Sequence, residues 1–467
     1  VPRDDSQPVS AAAIDESEQG LPLPALAGVL LASSLAPLGS TMIAVALPRI
    51  GNDIGTAAAD LTQWLVASYL VTSIALQSPG GKLGDRIGHG RALVLGLSLV
   101  AAGSLLGLLV ADVRALGAAR VLMAAGGAAT VPATMAILRN QTAAERRARV
   151  FGLFGACMSL AAAIGPVVGG ELTERFGWRA VFGANLPVVG VSLLLVLISR
   201  RIYTRAAGDQ APLDWQGSVL LATSLTLAIV ALRMSGASAW WLGGIGAALL
   251  VAFPLWERRV ASPVVDFSLL ARRAFFGGGT IVALQNMAMY PLLFQLPVFF
   301  DRVRQVGPRT VGQALLALTI AMMLGSLAGG RLAEIAGARA QALAGSLMTL
   351  AGLWWFSDLA SLRAPSDAVA GMLLIGSGVG LTSPPAQAAS MSVVDRAQSG
   401  MAGGMLSTLR YLGGVAGTTV LGALLTDPES TVSHQRLVFV YAGSLLLAAA
   451  LSLLLPGRQR ERLNHDR

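Results

Sequence analysis

Two arginines, Arg120 and Arg410, stand inside long apolar runs. A guanidinium at bilayer depth costs about 2.5–3.5 kcal/mol on insertion scales, so each must find carbonyls, amides, water or an anion. Carboxylates do not offer themselves: Asp60, Asp85, Glu171, Asp301 and Glu334 all fall near the ends of such runs. Each arginine therefore either fixes helix packing through backbone carbonyls or makes a cavity positive, where it contacts substrate or tunes a proton-binding group. A second constellation is IVALQNMAMYPLLFQLPVFF, in which Gln285, Asn286, Tyr290 and Gln295 stand among Met287, Met289, Phe294 and Phe299. Apolar walls with a few convergent polar groups suit a small-molecule site, and methionine adapts to varied shapes. Packing or lipid contact is the alternative for any one of these side chains. Trp64 and Tyr69 are five residues apart; they line the same cavity or belong to an interfacial aromatic belt.

Other chemistries are excluded. His89, His434 and His465 lie far apart, and the single cysteine, Cys157, has no histidine beside it. Neither a Cys/His metal site nor a disulfide framework is available. No nucleotide-binding loop or Ser/His/Asp arrangement is present either, so the chain is not expected to be an enzyme or to need a cofactor. Proton coupling needs a group titrating near working pH. The histidines are expected in loops or the tail, which leaves Asp85, Glu171 and Glu334 as candidates if partial burial raises their pKa.

These residues are carried by membrane-spanning helices. The 467 residues are 54% hydrophobic and 13% charged, about half the charge of a soluble domain, with a mean hydropathy of +0.66. Apolar runs occur near 25–48, 60–80, 92–111, 115–138, 150–170, 180–199, 217–234 and 240–256. More follow near 275–300, 311–330, 340–357, 367–390, 402–425 and 437–456, which makes about fourteen spans of roughly 20 residues. About two-thirds of the 34 Lys+Arg residues fall on one side, richest in 139–149, 200–205 and 258–273. By the positive-inside rule that side, with both termini, is cytoplasmic. The net charge of +9 is then topology rather than a nucleic-acid footprint. Residues 1–22 read as a disordered polar tail without the basic start and apolar core of a signal peptide, and 457–467 as a second tail. With 33 arginines against one lysine the composition fits a GC-rich bacterial genome, and hence a bacterial inner membrane.

An internal repeat organises the spans. Gly81, Leu83, Asp85 and Gly88 recur 249 residues later as Gly330, Leu332, Glu334 and Gly337, and the same offset carries Gly165 onto Gly414. The expected all-α architecture is two six-helix bundles, 23–200 and 274–456, with two inserted helices and linkers in 201–273. Duplicated halves of this kind are a transporter's design.

The motifs resemble the major facilitator superfamily, and within it the fourteen-span drug:proton antiporter branch. Gly81-Lys82-Leu83-Gly84-Asp85-Arg86-Ile87-Gly88 resembles the superfamily's signature loop between helices two and three. Gly165-Pro166-Val167-Val168-Gly169-Gly170 is similar to the antiporter motif of helix five. Trp178-Arg179 with Asn185 and Pro187, Asp214 with Gly217, Glu257 with Pro263, Asp266, Leu270 and Phe275, and Arg410 with Gly413 and Gly414 match further branch positions. Arg120 matches the motif arginine of helix four. The chain departs from the branch at Gly39, where an embedded Asp is usual, at Ala44 for an Asn, at Met123-Ala124 for Gln-Gly, and at Ala161 for a glycine.

The resemblance implies a secondary exporter of hydrophobic or amphiphilic small molecules working by alternating access and proton antiport. It also implies a monomer whose partners are the substrate and the bilayer. Physical reasoning adds a gate. Gly81, Gly84 and Gly88 permit tight turns and close helix approach. Asp85 can pair with Arg86, Arg91 or the arginines of 139–149, or sit at the positive N-terminal end of a neighbouring helix. Gly165, Pro166, Gly169 and Gly170 are expected to let helices of opposite halves pack closely and bend, and Pro384-Pro385 to kink their span. Without a central acid a rigid cation loses its partner, which favours neutral or weakly anionic amphiphiles. The alternatives are export of an endogenous metabolite, lipid or anion through Arg120 and Arg410, and a non-transporting membrane sensor on the same fold.

Overall fold

The computed structural model describes residues 21–457 except 57–60, 204–213, 232–235, 261–262, 264, 307 and 426. Most of both predicted tails, and Asp60, lie outside the described residues. Every predicted span coincides with a helix: α1 (Leu23–Ile54), α2 (Ser68–Ile87, preceded by a π-helical turn, Thr62–Ala67), α3 (His89–Leu109), α4 (Val113–Asn140), α5 (Ala144–Phe176) and α6 (Asn185–Ile198, after a short Arg179–Gly183 helix). The series continues with α7 (Trp215–Ala231), α8 (Ala237–Glu257), α9 (Arg273–Arg302), α10 (Pro308–Ala336), α11 (Ala338–Trp354), α12 (Val369–Ser392), α13 (Ser399–Leu424) and α14 (Thr431–Leu451).

Among the described residues, 10 helices are long and apolar enough to cross a membrane. The remaining α2, α7, α11 and α13 are shorter or more polar. In α2 the polar residues Gln77, Ser78, Lys82 and Asp85 are buried by protein, so that face has no need to be apolar. Trp240 and Trp241 at the start of α8 are 84% and 74% exposed, as expected of side chains that meet an interface.

The signature segment is not a loop. α2 runs through it to Ile87 and turns only at Gly88, whose φ is +92°; α10 likewise runs to Ala336 and turns at Gly337, φ +82°. Only glycine adopts this backbone without strain. The two turns stand at equivalent points of the repeat, so the duplication is structural. For two of the three histidines the expectation of loops or tail fails: His89 opens α3 and His434 lies in α14, both buried, while His465 lies outside the described residues.

The helices pack as α1–α6 and α9–α14, meeting along α2, α4 and α5 on one side and α13, α10 and α12 on the other. Asp214 anchors the inserted pair: its carboxylate accepts from the Gly217 N–H at 2.8 Å and the Trp256 indole at 3.0 Å, while Glu257 accepts from the Val265 N–H at 3.2 Å. A side chain at Gly217 would strike both carboxylates. This explains why Asp214, Gly217 and Glu257 occur together.

Gly165, Gly169 and Gly170 of α5 do not join opposite halves. A Cβ on Gly165 would lie 1.9 Å from the Thr41 hydroxyl, and one on Gly169 would lie 2.8 Å from Met42 Cα, so the stripe packs on α1 of its own half. The repeat reproduces this contact: Gly414 packs on Tyr290, which stands 249 residues after Thr41. The helix period turns the stripe toward α1, while Gly152 and Gly155, three turns earlier, face α10. Gly169→Ala is therefore expected to destabilise the N-terminal half by about 1–3 kcal/mol through overpacking. Thermal melting will fall while spin-label distances between the halves stay unchanged.

Candidate functional site

One end of the molecule is fused and the other is divided. At the arginine-rich end a continuous core joins Phe151, Phe154, Met135 and Ile137 to Met391, Met401, Met405 and Leu406 of the other half. At the opposite end the halves keep separate cores, one around Met42, Leu65, Phe182 and Trp178, the other around Leu296, Phe299, Phe300 and Leu318.

Asp85 is the centre of the fused end. It is 3% exposed, and its two oxygens accept from the Gly400 and Met401 N–H groups, each at 2.7 Å. Among the partners considered for it, it meets the N-terminus of α13 across the seam. The first N–H groups of a helix have no intrahelical acceptor, and its dipole favours a carboxylate there. Arg86 and Arg91 are exposed. His89 lies beside the carboxylate, its Nε2 at 3.7 Å. Around this cap Asn140 donates to the Ser399 hydroxyl at 2.8 Å, and Arg139 donates to the Met391 carbonyl at 3.2 Å and to that of Val394. Backbones touch here: a Cβ on Gly81 would lie 2.0 Å from the Gly400 carbonyl, and one on Gly404 2.3 Å from that of Gln77.

The repeat places a second contact at the equivalent point, Glu334 against Arg149 at 2.6 Å. It differs for a reason written in the helix starts. α13 begins at Ser399, so the N–H groups of 400 and 401 are free for Asp85. α5 has already begun at Ala144, so at the matching position only a side chain remains to meet Glu334. Arg149 and Glu334 are 54% and 22% exposed, and such pairs contribute under about 1 kcal/mol. Reversal by Arg149→Glu is expected to slow transport by less than about fivefold, with recovery when Glu334→Arg is added. The third proton-coupling candidate, Glu171, pairs with Arg175 on an exposed face of α5.

Between the ends lies a cluster of arginines and tyrosines. Arg120, 1% exposed, donates from Nε to the Leu65 carbonyl at 2.9 Å, and its guanidinium lies 4.0 Å over the Tyr69 ring. Leu65 belongs to the π-turn, where the ordinary i→i−4 ladder is interrupted and a carbonyl can be spared. Tyr69 donates to the Ala36 carbonyl at 3.2 Å and lies within electrostatic range of Tyr411, Tyr290 and Arg120. Tyr290 in turn lies within electrostatic range of Tyr411 and Arg410. Arg410 sits on the seam, its Nη1 3.6 Å from the sulfur of Met158 in the other half. It lines a cavity of about 10 Å³ with Gln387, Ser407 and Met135, room for about one water.

The α9 cluster divides. Tyr290 joins the arginine–tyrosine cluster, its ring against Gly414. Asn286 donates to its own helix at the Val282 carbonyl, 2.7 Å away, and Gln295 donates to the His434 carbonyl at 2.9 Å, a bond to α14 within the same half. Gln285 is wholly buried, Met287 packs with its backbone against Gly417, and Phe294 is 57% exposed. Trp64 packs on Gly117. Tyr411 was missed by the sequence reading. Its neighbour Arg410 drew attention as a charge, but nothing in one sequence reveals that the next side chain comes within electrostatic range of Tyr69 on another helix.

The Major Facilitator Superfamily profile matches residues 29–418. The uncharacterized MFS-type transporter YvkA of Bacillus subtilis is 33% identical over 404 residues, covering 85% of this chain and 90% of that protein. The tetracenomycin C resistance and export protein of Streptomyces glaucescens is 29% identical over 426 residues, covering 90% and 78%. Among solved structures, the human organic anion transporter MFSD10 superposes with a TM-score of 0.69 at 18% identity, over 92% of this chain and all of that one, a likeness of fold. The all-helical multi-pass architecture, the repeat and these matches agree: the chain is a membrane transporter, not an enzyme, and belongs to the major facilitator superfamily.

Proposed function

We propose that this protein is a secondary transporter that exports hydrophobic or amphiphilic small molecules by alternating access, driven by proton antiport. The observation that carries the reading is the asymmetry of the seam. A single core and the Asp85 cap hold the halves together at the arginine-rich end, the arginine–tyrosine cluster lies beyond it, and the cores stay separate at the far end. With the arginine-rich end in the cytoplasm, this is an outward-facing arrangement. The relatives named for drug resistance and export support the same direction.

In this reading the chain has fourteen spans, those of α1 to α14, with both termini cytoplasmic in a bacterial inner membrane, and the monomer is the working unit. Arg120, Arg410, Tyr69 and Tyr290 line the substrate path, together with Met287 and Phe294 on the Tyr290 side of α9. Gln285, Asn286 and Gln295 support it from within the C-terminal half. Gly81, Gly84, Asp85, Arg86, Gly88 and Arg91 form the inner gate, and Gly165, Pro166, Gly169 and Gly170 seat α5 on α1. No cofactor is required. Proton coupling runs through the gate carboxyls: protonated Asp85 would lose an acceptor for α13 and loosen the closed end, with Glu334 and Glu171 in secondary roles.

The test is flux in proteoliposomes under an imposed pH gradient, with one lipophilic cation and one amphiphilic anion. Gradient-dependent movement of either, abolished by collapsing the gradient, is expected. Movement of neither would favour a non-transporting sensor.

A further inference from the structure

We infer that Arg120 is an anion-binding group, and that its ligand is an amphiphile carrying a single carboxylate or sulfonate on an aromatic body. This inference rests on the exporter reading and narrows its substrate class.

The argument starts from an unbalanced charge. A guanidinium has five N–H donors in a planar fork. In Arg120 the Nε donor is used by the Leu65 carbonyl, but Nη1 is buried and has no hydrogen-bond partner. Among the described residues no ion pair involves Arg120, and Gly39 stands where the first span could have offered an acid. A buried charge with a donor unsatisfied is costly, and the tyrosine face beneath it compensates only in part. An anionic oxygen is the group that completes this site, because the fork matches a carboxylate or sulfonate with paired N–H bonds.

The rest of the ligand follows from the walls. The Tyr69 ring lies 4.0 Å from the Arg120 guanidinium and the Tyr411 ring 5.2 Å from that of Arg410, with Tyr290 within electrostatic range of both tyrosines, and aromatic rings stack on aromatic rings. Arg410 is not the anchor. Its Nη1 meets the Met158 sulfur across the seam, so its surroundings change when the halves move. Two positive charges also disfavour a rigid cation near either of them.

The experiment measures binding to the full chain in nanodiscs. The probes are 2-naphthoate, its neutral isostere 2-naphthamide, and tetraphenylphosphonium. For the unaltered protein, naphthoate is expected to bind at least tenfold more tightly than naphthamide, with tetraphenylphosphonium weakest. Arg120→Gln should erase the naphthoate advantage while leaving naphthamide within about threefold. Arg120→Lys, which keeps the charge and loses the fork, should retain part of it. Arg363→Gln, at an exposed position outside the site, should keep it. Melting curves establish that each variant is folded; if Arg120→Gln is not, the Lys variant and the naphthoate-to-naphthamide ratio of the unaltered protein decide. Equal binding of naphthoate and naphthamide, or an advantage that survives Arg120→Gln, overturns the inference. Gradient-driven tetraphenylphosphonium flux without naphthoate binding would leave the exporter reading standing and sink this one, whereas absence of flux for every probe would remove the reading beneath it.

Discussion

Gly81→Ala is expected to stop transport by wedging open the arginine-rich end. The added Cβ would lie 2.0 Å from the Gly400 carbonyl oxygen and 2.6 Å from its carbon. Both are backbone atoms of α13 and cannot rotate away, so the two helices must separate by about 1.4 Å to reach ordinary contact. Cores at crystal-like density do not absorb such a displacement, and overpacking of this kind costs about 1–3 kcal/mol. Because the penalty falls only on the closed arrangement, it shifts the equilibrium between the two facing states about 5- to 150-fold. Gly404→Ala, 2.3 Å from the Gln77 carbonyl, should act alike. Gly190→Ala on α6, with nothing within 4 Å, is the control and should leave flux unchanged. Initial uptake rates in vesicles, normalised to protein in the membrane, check all three.

The second large effect is expected from Asp85→Asn. The carboxylate accepts two N–H bonds at 2.7 Å each, and such charge-assisted bonds contribute about 1.5–3 kcal/mol apiece. An amide offers one oxygen, and its NH2 group would then oppose the second N–H. Loss of the charge also removes its favourable interaction with the α13 dipole. A cost of about 2–4 kcal/mol to the closed end corresponds to about a 30- to 1000-fold shift toward the opposite arrangement. Flux under a pH gradient should fall at least tenfold. Asp85→Glu should not restore it, because the added methylene has no room between α2 and a backbone already in contact.

Much of this architecture was legible in the residues. The spans were readable because about 20 consecutive apolar residues permit few other structures. The repeat was readable because Gly88 and Gly337 must be glycine to turn the chain, so they recur at a fixed offset. Asp85 was placed near a helix end, with the N-terminus of a neighbour among its partners. What stayed hidden depends on rotation and register. The stripe from Gly165 to Gly170 predicts close packing but not its partner, and α1 rather than the opposite half proved to be that partner. Gln295 was polar enough to line a cavity, yet a backbone carbonyl on α14 satisfies it. The end of α2 read as a loop because Lys82, Asp85 and Arg86 are polar; protein contact rather than lipid decides that surface. The π-turn that brings the Leu65 carbonyl to Arg120 has no composition of its own, and Tyr411 could be found only by folding α13 against α2.

The most direct test of alternating access about the Asp85 cap is a pair of inter-half distances measured by double electron–electron resonance. Cys157 is first replaced by alanine, and spin labels are placed at Ala144 and Ile335 at the arginine-rich end, and separately at Phe176 and Val432 at the other. All four positions are exposed. The unaltered protein should give a short, narrow distribution for the first pair and a long one for the second. With Asp85→Asn the first pair should lengthen and the second shorten together. Distances that do not change, or that both lengthen, would contradict a single rocking motion held closed by Asp85.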